Sequence, residues 1–559
     1  MKNFTKLLMV VALLASYSCT QDVTTDLDQN VGSGQGEMVT LSATLPSPEA
    51  RTELGAKVGN VYPLYWSEGD VVSVNGYAAG VEIVSGNRKL ANLSVPAALE
   101  TPYHLVYPWV EGVEPSAKVG YSPVVFQSVQ AHTEGSFAQG SAPMYGYTNG
   151  FENITLKHLT AVLRVEVKAK AGETVNLSYL TVGTVDGAPI SGVFDVDCSN
   201  GAMVARSNAS STILYDFGEG GCQLTDAQSS VFYIAVPQGA YEGFEINFIA
   251  DNGAVMTKGF SGLGSKKLVA GKVREFPCVE FEAGSSMFLI SNDAELLDFA
   301  AQMAAGGIAE DGALLVADID MTDKDWTPID LAGKVFDGNN KWIKGLRAPM
   351  FNTVSSQVRN LNVEANIVAA EMSSVGAICN TLEDGSLTNC STAGTLTYSN
   401  TQNVGETLGD IAVGGVVGKV TAGNLLNCRN KMDIVIACGA ATGLEFPSVL
   451  SFGGVAGAVN GDTVEVEACE NHAALKINET LGSVSSTYAM GGVVGALVSA
   501  SRFTECYNYG ALTQSTPVEL LYMGGVVGYA IAPVNKCENR GALSAHAAAT
   551  AYNVGGVVA

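Results

Sequence analysis

Two hydrophobic rhythms run along the chain, and they change near residue 285. From Met38 to Phe281 apolar and polar positions alternate. In LRVEVK, Leu163, Val165 and Val167 fall on one face, and Arg164, Glu166 and Lys168 on the other. FEINF repeats the pattern with Phe244, Ile246 and Phe248. Successive side chains of an extended chain point to opposite faces, so a period of two marks strands with one buried face. Many such runs, separated by Gly, Asn and Asp turns, predict a β-sandwich region without a long amphipathic helix.

Past this region the rhythm is helical for one short stretch. In SNDAELLDFAAQMAAGG, Asn292 is an N-cap, with Glu295 three residues later in a capping-box arrangement. Leu296, Phe299, Ala300 and Met303 recur at helical spacing, and Gly306-Gly307 stop the helix. The carboxylates Asp318, Asp320, Asp323 and Asp325 that follow suggest calcium, but their spacing lacks the glycine and terminal glutamate of an EF-hand loop.

The remainder repeats itself. The second glycine of each GG pair falls at Gly415, Gly454, Gly492, Gly525 and Gly556, with Gly376 as a degenerate earlier copy and Met350-Phe351 marking the first. All but the last are followed by a cysteine: Cys390, Cys428, Cys469, Cys506 and Cys537. Around it runs C-x-N-x-G-x-[LI], as in CYNYGAL, with Thr392 replacing Asn and with Met432 and Ala473 replacing Gly in earlier copies. Short β runs at a period of 31 to 39 residues predict a solenoid, and a parallel β-helix is its natural form. The marked positions lie two apart, so Cys, Asn, Gly and Leu share the inner face. The cysteine then packs, the asparagine caps a turn through backbone bonds and the glycine permits a bend. Tyr507 and Tyr509 point outward by the same alternation, which makes them candidate ligand contacts. Because the chain stops at NVGGVVA, inside a seventh repeat, it is expected to continue beyond Ala559.

Five equivalent cysteines argue against a single activated nucleophile, and their wide spacing, with five scattered histidines, argues against zinc. No metal and no cofactor is expected. A ladder of thiols facing one way cannot pair throughout, so mostly reduced, buried cysteines are expected; Cys198 and Cys222 form a separate candidate pair. A polysaccharide-degrading β-helix enzyme would need carboxylates converging on one groove. Glu470 and Glu538 instead face outward as solvated rungs, and the reading is of a protein that is not an enzyme.

Composition adds a compartment. Lys2 and Lys6 precede the apolar run LLMVVALLA and then SYSC, ending at Cys19. This is an export signal, and its end resembles a bacterial lipoprotein box in which Cys19 receives lipid; an ordinary secretory signal is the alternative. The polar, Gly-rich stretch after it suits a tether. A net charge of -25 without a basic cluster excludes nucleic acid as partner.

ARTEL (50–54), YWSEGDVVSV (65–74), YHLVYPW (103–109), APMYGY (142–147), LKHLTAVLRVEV (156–167) and FYIAVPQGAYEGF (232–244) resemble, in order and spacing, the fimbrillin family of Bacteroidetes lipoprotein pilins. The segment after residue 291 is similar to the entry that precedes GLUG-type repeats of bacterial surface proteins. The resemblance implies a mainly β protein of two tandem transthyretin-like sandwiches followed by a parallel β-helix. The expected order is signal peptide 1–18, tether 19–37, sandwiches 38–168 and 169–283, a junction 284–346, and repeats 347–559. It implies a lipid-anchored outer-membrane surface protein, exposed on the cell or incorporated in a fimbrium: an accessory or tip subunit whose solenoid adheres or spaces. Its implied partners are other fimbrial subunits, by donor-strand exchange, and a host or bacterial surface glycan or protein. A glycan- or mucin-binding lipoprotein that never polymerises is the second reading. Arg51 is either a processing site that frees a groove for the donor strand or an arginine ending the first strand. Asp462-Thr463-Val464 matches an O-glycosylation sequon of these bacteria, which makes Thr463 a candidate glycan site.

Overall fold

The computed structural model describes residues 37–45, 65–150, 153–206, 209–261, 267–370, 372–400, 411–438, 449–479, 487–515, 520–546 and 551–559. The export signal, Cys19 and Arg51 lie outside them. The described chain is almost entirely β, in several sheets, with one α-helix.

The first unit is an antiparallel sheet built from the strands Met38–Thr44, Val71–Val74, Tyr77–Val84, Asn87–Pro96, Tyr103–Tyr107 and Met144–Thr148. Its two edges are joined by one short segment. Ile154–Thr155 pairs in parallel with Met38–Thr44, and Lys157–His158 pairs antiparallel with Met144–Thr148. The sheet thus wraps around a core that includes Leu41, Trp66, Leu93, Leu105 and Leu156.

The boundary with the second unit is not where the sequence places it. Thr160–Lys168, expected to end the first sandwich, pairs with Ser230–Pro237 and Val273–Glu275. Its inward residues Leu163, Val165 and Val167 pack with Phe232, Phe244 and Phe248 in the second core. Tyr121–Phe126 and Val129–Ala131 also cross over, pairing with Gly192–Asp197 and Thr212–Asp216. Alternation identified Leu163 to Lys168 as a strand correctly, but it carries no information about which sheet a strand joins.

Strand pairing turns parallel after Ser285. Ala254–Ser261, from the second core, pairs antiparallel with Ser285–Ile290, which pairs in parallel with Gly312–Leu315, so one sheet continues from the second unit into the repeats. The helix Asp293–Ala304 intervenes. Its N-cap Asn292 accepts from the Glu295 N–H (3.0 Å), and the Glu295 carboxylate accepts from the Ser291 N–H (2.7 Å). Buried Leu296 and Phe299 sit at the head of an aromatic row, Phe299–Phe336–Phe351, with centroids 5.7 and 5.3 Å apart. Each later repeat visits three parallel sheets in turn. For one copy these are Thr487–Gly491, Val494–Ser499 with Arg502–Thr504, and Tyr507–Asn508 with Leu512–Gln514. Each pairs in parallel with its counterparts one repeat before and after, except that Arg502–Thr504 meets the following repeat only through a single bridge from Thr504 to Asn535. A single apolar core runs through the stack.

Candidate functional site

The residues shared by the repeats face inward. Cys390, Cys428, Cys469 and Cys506 are fully buried, and Cys537 is half-buried. Burial pushes the Cys390 thiol well above its usual value, and the neighbouring Cys428 adds to the effect. The nine described cysteines outside the masked segments are free thiols. Cys198 and Cys222, expected as a candidate pair, belong to different cores and do not bridge.

The asparagines do more than cap turns. Thr392 donates its hydroxyl to Asn430 Oδ1 (2.9 Å), and Asn430, Asn471 and Asn508 each donate Nδ2 to the next asparagine's Oδ1, ending at Asn539, all at 2.8 Å. Each amide also closes on its own backbone. Asn508 Oδ1 accepts from the Gly510 N–H (3.1 Å), while Nδ2 donates to the Gly510 carbonyl (2.9 Å). Both donors and both acceptor sites of a fully buried amide are therefore used.

This ladder, with the close approach of the next repeat's backbone, explains the second glycine of each GG pair. A Cβ on Gly415, Gly454, Gly492 or Gly525 would fall on the side chain of Asn430, Asn471, Asn508 or Asn539 respectively. Gly510, expected to permit a bend, has no positive φ; a Cβ there would meet the Ala473 carbonyl of the preceding rung. The bend lies one residue before each cysteine instead. Asn389, Asn427, Ala468, Glu505 and Lys536 all have φ between 49° and 57°, the left-handed region. Only the two asparagines advertise that conformation, so the common turn was hidden in the sequence.

The outer face is charged and aromatic. Tyr509, an exposed residue, stacks on His472 (centroids 4.6 Å apart, 16° between planes), and the Arg540 guanidinium lies 5.5 Å over it. Half-buried Tyr507 sits in register between Glu470 and Glu538. Glu470 accepts from Arg429 Nε (2.8 Å) and bonds His472 Nε2 (2.7 Å), whereas Glu538 pairs with Arg540 (2.9 Å). Burial alone would raise the Glu470 carboxyl, but the His472 bond and the Arg429 charge outweigh it and hold it below the usual range. Thr463 is exposed in a turn, and its neighbour Asp462 accepts from the Ser499 hydroxyl. Among the described residues there is no cluster of three or more His, Cys, Asp or Glu suited to a metal ion. Nor is any helix there long and apolar enough to cross a membrane.

No protein-family model matches the sequence, and no curated protein matches it. Among solved structures, a candidate immunoglobulin A1 protease of Bacteroides ovatus is similar over 49% of this chain and 84% of its own, at 18% identity and a TM-score of 0.34. A candidate cell adhesion protein of Bacteroides ovatus is similar over 44% of this chain and 93% of its own, at 13% identity and a TM-score of 0.28. A fimbrial protein of the same species shares 8% identity over 44% of this chain and 52% of its own, with a TM-score of 0.20. At such scores these likenesses carry no argument about activity.

Proposed function

We propose that this chain is a cell-surface fimbrial or adhesin subunit, held to the outer membrane through lipid on Cys19, and not an enzyme. Its repeats form a parallel β-helix behind two transthyretin-like sandwiches and serve adhesion or spacing at an accessory or tip position. One observation carries the reading. Every residue type the repeats share is turned inward and spent on packing or on the amide ladder, while the outer face varies from rung to rung. That is the pattern of a scaffold that displays a surface. Assembly with other fimbrial subunits by donor-strand exchange, after cleavage at Arg51, rests on the sequence resemblance alone.

Immunogold electron microscopy of sheared surface fibres, with antibody to this chain, tests the proposal. Labelled fibres or fibre tips are expected; label confined to unassembled membrane would replace it with the second reading, a glycan-binding lipoprotein that does not polymerise. The exposed Tyr509, stacked between His472 and Arg540, favours that alternative enough to name it.

A further inference from the structure

Where the second core meets the first parallel strands, the surface is indented by a cleft of about 560 Å³, within the range of small-molecule sites. One wall carries Thr212 and Asp216, the other Asp318, Asn340, Lys341 and Trp342. The walls are tied together, because the Asn340 amide donates to the Thr212 hydroxyl. Asp318 accepts from the Trp342 backbone N–H (2.9 Å), which fixes the start of the strand Trp342–Leu346.

Lys341 and Trp342 both line this cleft, and among the described residues neither the Lys341 ammonium nor the Trp342 indole N–H makes a hydrogen bond or short ion pair. Both residues are half-buried. Burial pulls the Lys341 pKa down, against the opposing charges of Asp318 and Asp216. The cleft therefore offers unspent donors, two carboxylates and an indole. Carboxylates and an ammonium converging on one space suit a ligand rich in hydroxyls, and an indole supplies an apolar body with one polar tip. Two aspartates against one lysine leave no positive charge to attract an anion.

We propose that this cleft binds a neutral pyranose residue of a glycan. It deepens the adhesive reading by naming a ligand class and a site, but binding by the isolated full chain does not depend on fibre formation. Saturation-transfer NMR on the full chain tests it. The probes are methyl glucoside, methyl galactoside, methyl mannoside and methyl fucoside, with N-acetylneuraminic acid as anionic counterpart. Transfer to at least one neutral pyranoside is expected. Binding should weaken about tenfold or more in Lys341→Met and Trp342→Ala, as losing a charge-assisted bond or a stacking face implies, and should survive in Tyr509→Ala. Lys341→Met keeps the aliphatic stem, so it separates lost contact from lost fold. Transfer to none of the neutral probes, preference for the acid, or binding that Lys341→Met leaves intact would each overturn the proposal. A failure to find labelled fibres would leave all of these outcomes unchanged.

Discussion

A buried primary amide is costly unless its donors and acceptors are all used, and at Asn430, Asn471 and Asn508 they are used vertically and locally at once. Asn508→Ala should lower stability by about 2–4 kcal/mol, because it strands one donor of the Asn471 amide in the core and removes the partner of the half-buried Asn539 acceptor; urea unfolding measures it. The opposite sign is expected one residue before Cys469. Ala468 has φ 54°, where Asn is better tolerated, and Asn389 and Asn427 already bond each other at that position (2.8 Å). Ala468→Asn should therefore raise the unfolding midpoint, by about 0.5–1 kcal/mol. The inward asparagine was legible in the sequence because it lies two residues from a cysteine. Its partner was not, since that partner sits 31 to 41 residues away and only the register brings it near.

At the scale of elements, the helix was readable end to end because its caps are local: Asn292 and Glu295 act within one turn. The N-terminal sheets were readable as strands only. Thr160–Lys168 shows why, since its alternation specifies a buried face but not the sheet that buries it. Just before it lies His158, on the short strand that closes the first unit. Its Nε2 is buried without a hydrogen-bond partner among the described residues, and burial pushes its pKa down to about 4. The native ring stays neutral while the unfolded chain takes up a proton below about pH 6.5. This contribution is complete above that pH and is lost as pH falls toward 4. The loss amounts to at most about 3 kcal/mol. Urea midpoints at pH 7 and pH 4.5 should show it, and His158→Gln should flatten that part of the slope.

Across the whole molecule, the sheet that leaves the second core at Ala254–Ser261 and enters the parallel stack at Ser285–Ile290 makes the repeats a continuation of the N-terminal sheets rather than a tail on a linker. The repeat period foretold stacking; the shared sheet had no counterpart in the sequence, because antiparallel and parallel partners of one strand leave the same apolar pattern. The central claim is that the repeats are rungs of one closed stack whose shared residues are internal. Native-state alkylation, mapped residue by residue by mass spectrometry, tests it most directly. Exposed Cys278 should react fastest and half-buried Cys222 and Cys537 more slowly, whereas Cys428, Cys469 and Cys506 should react only after denaturation. Rapid native labelling of Cys428 or Cys469, or their recovery as disulfides, would contradict the account.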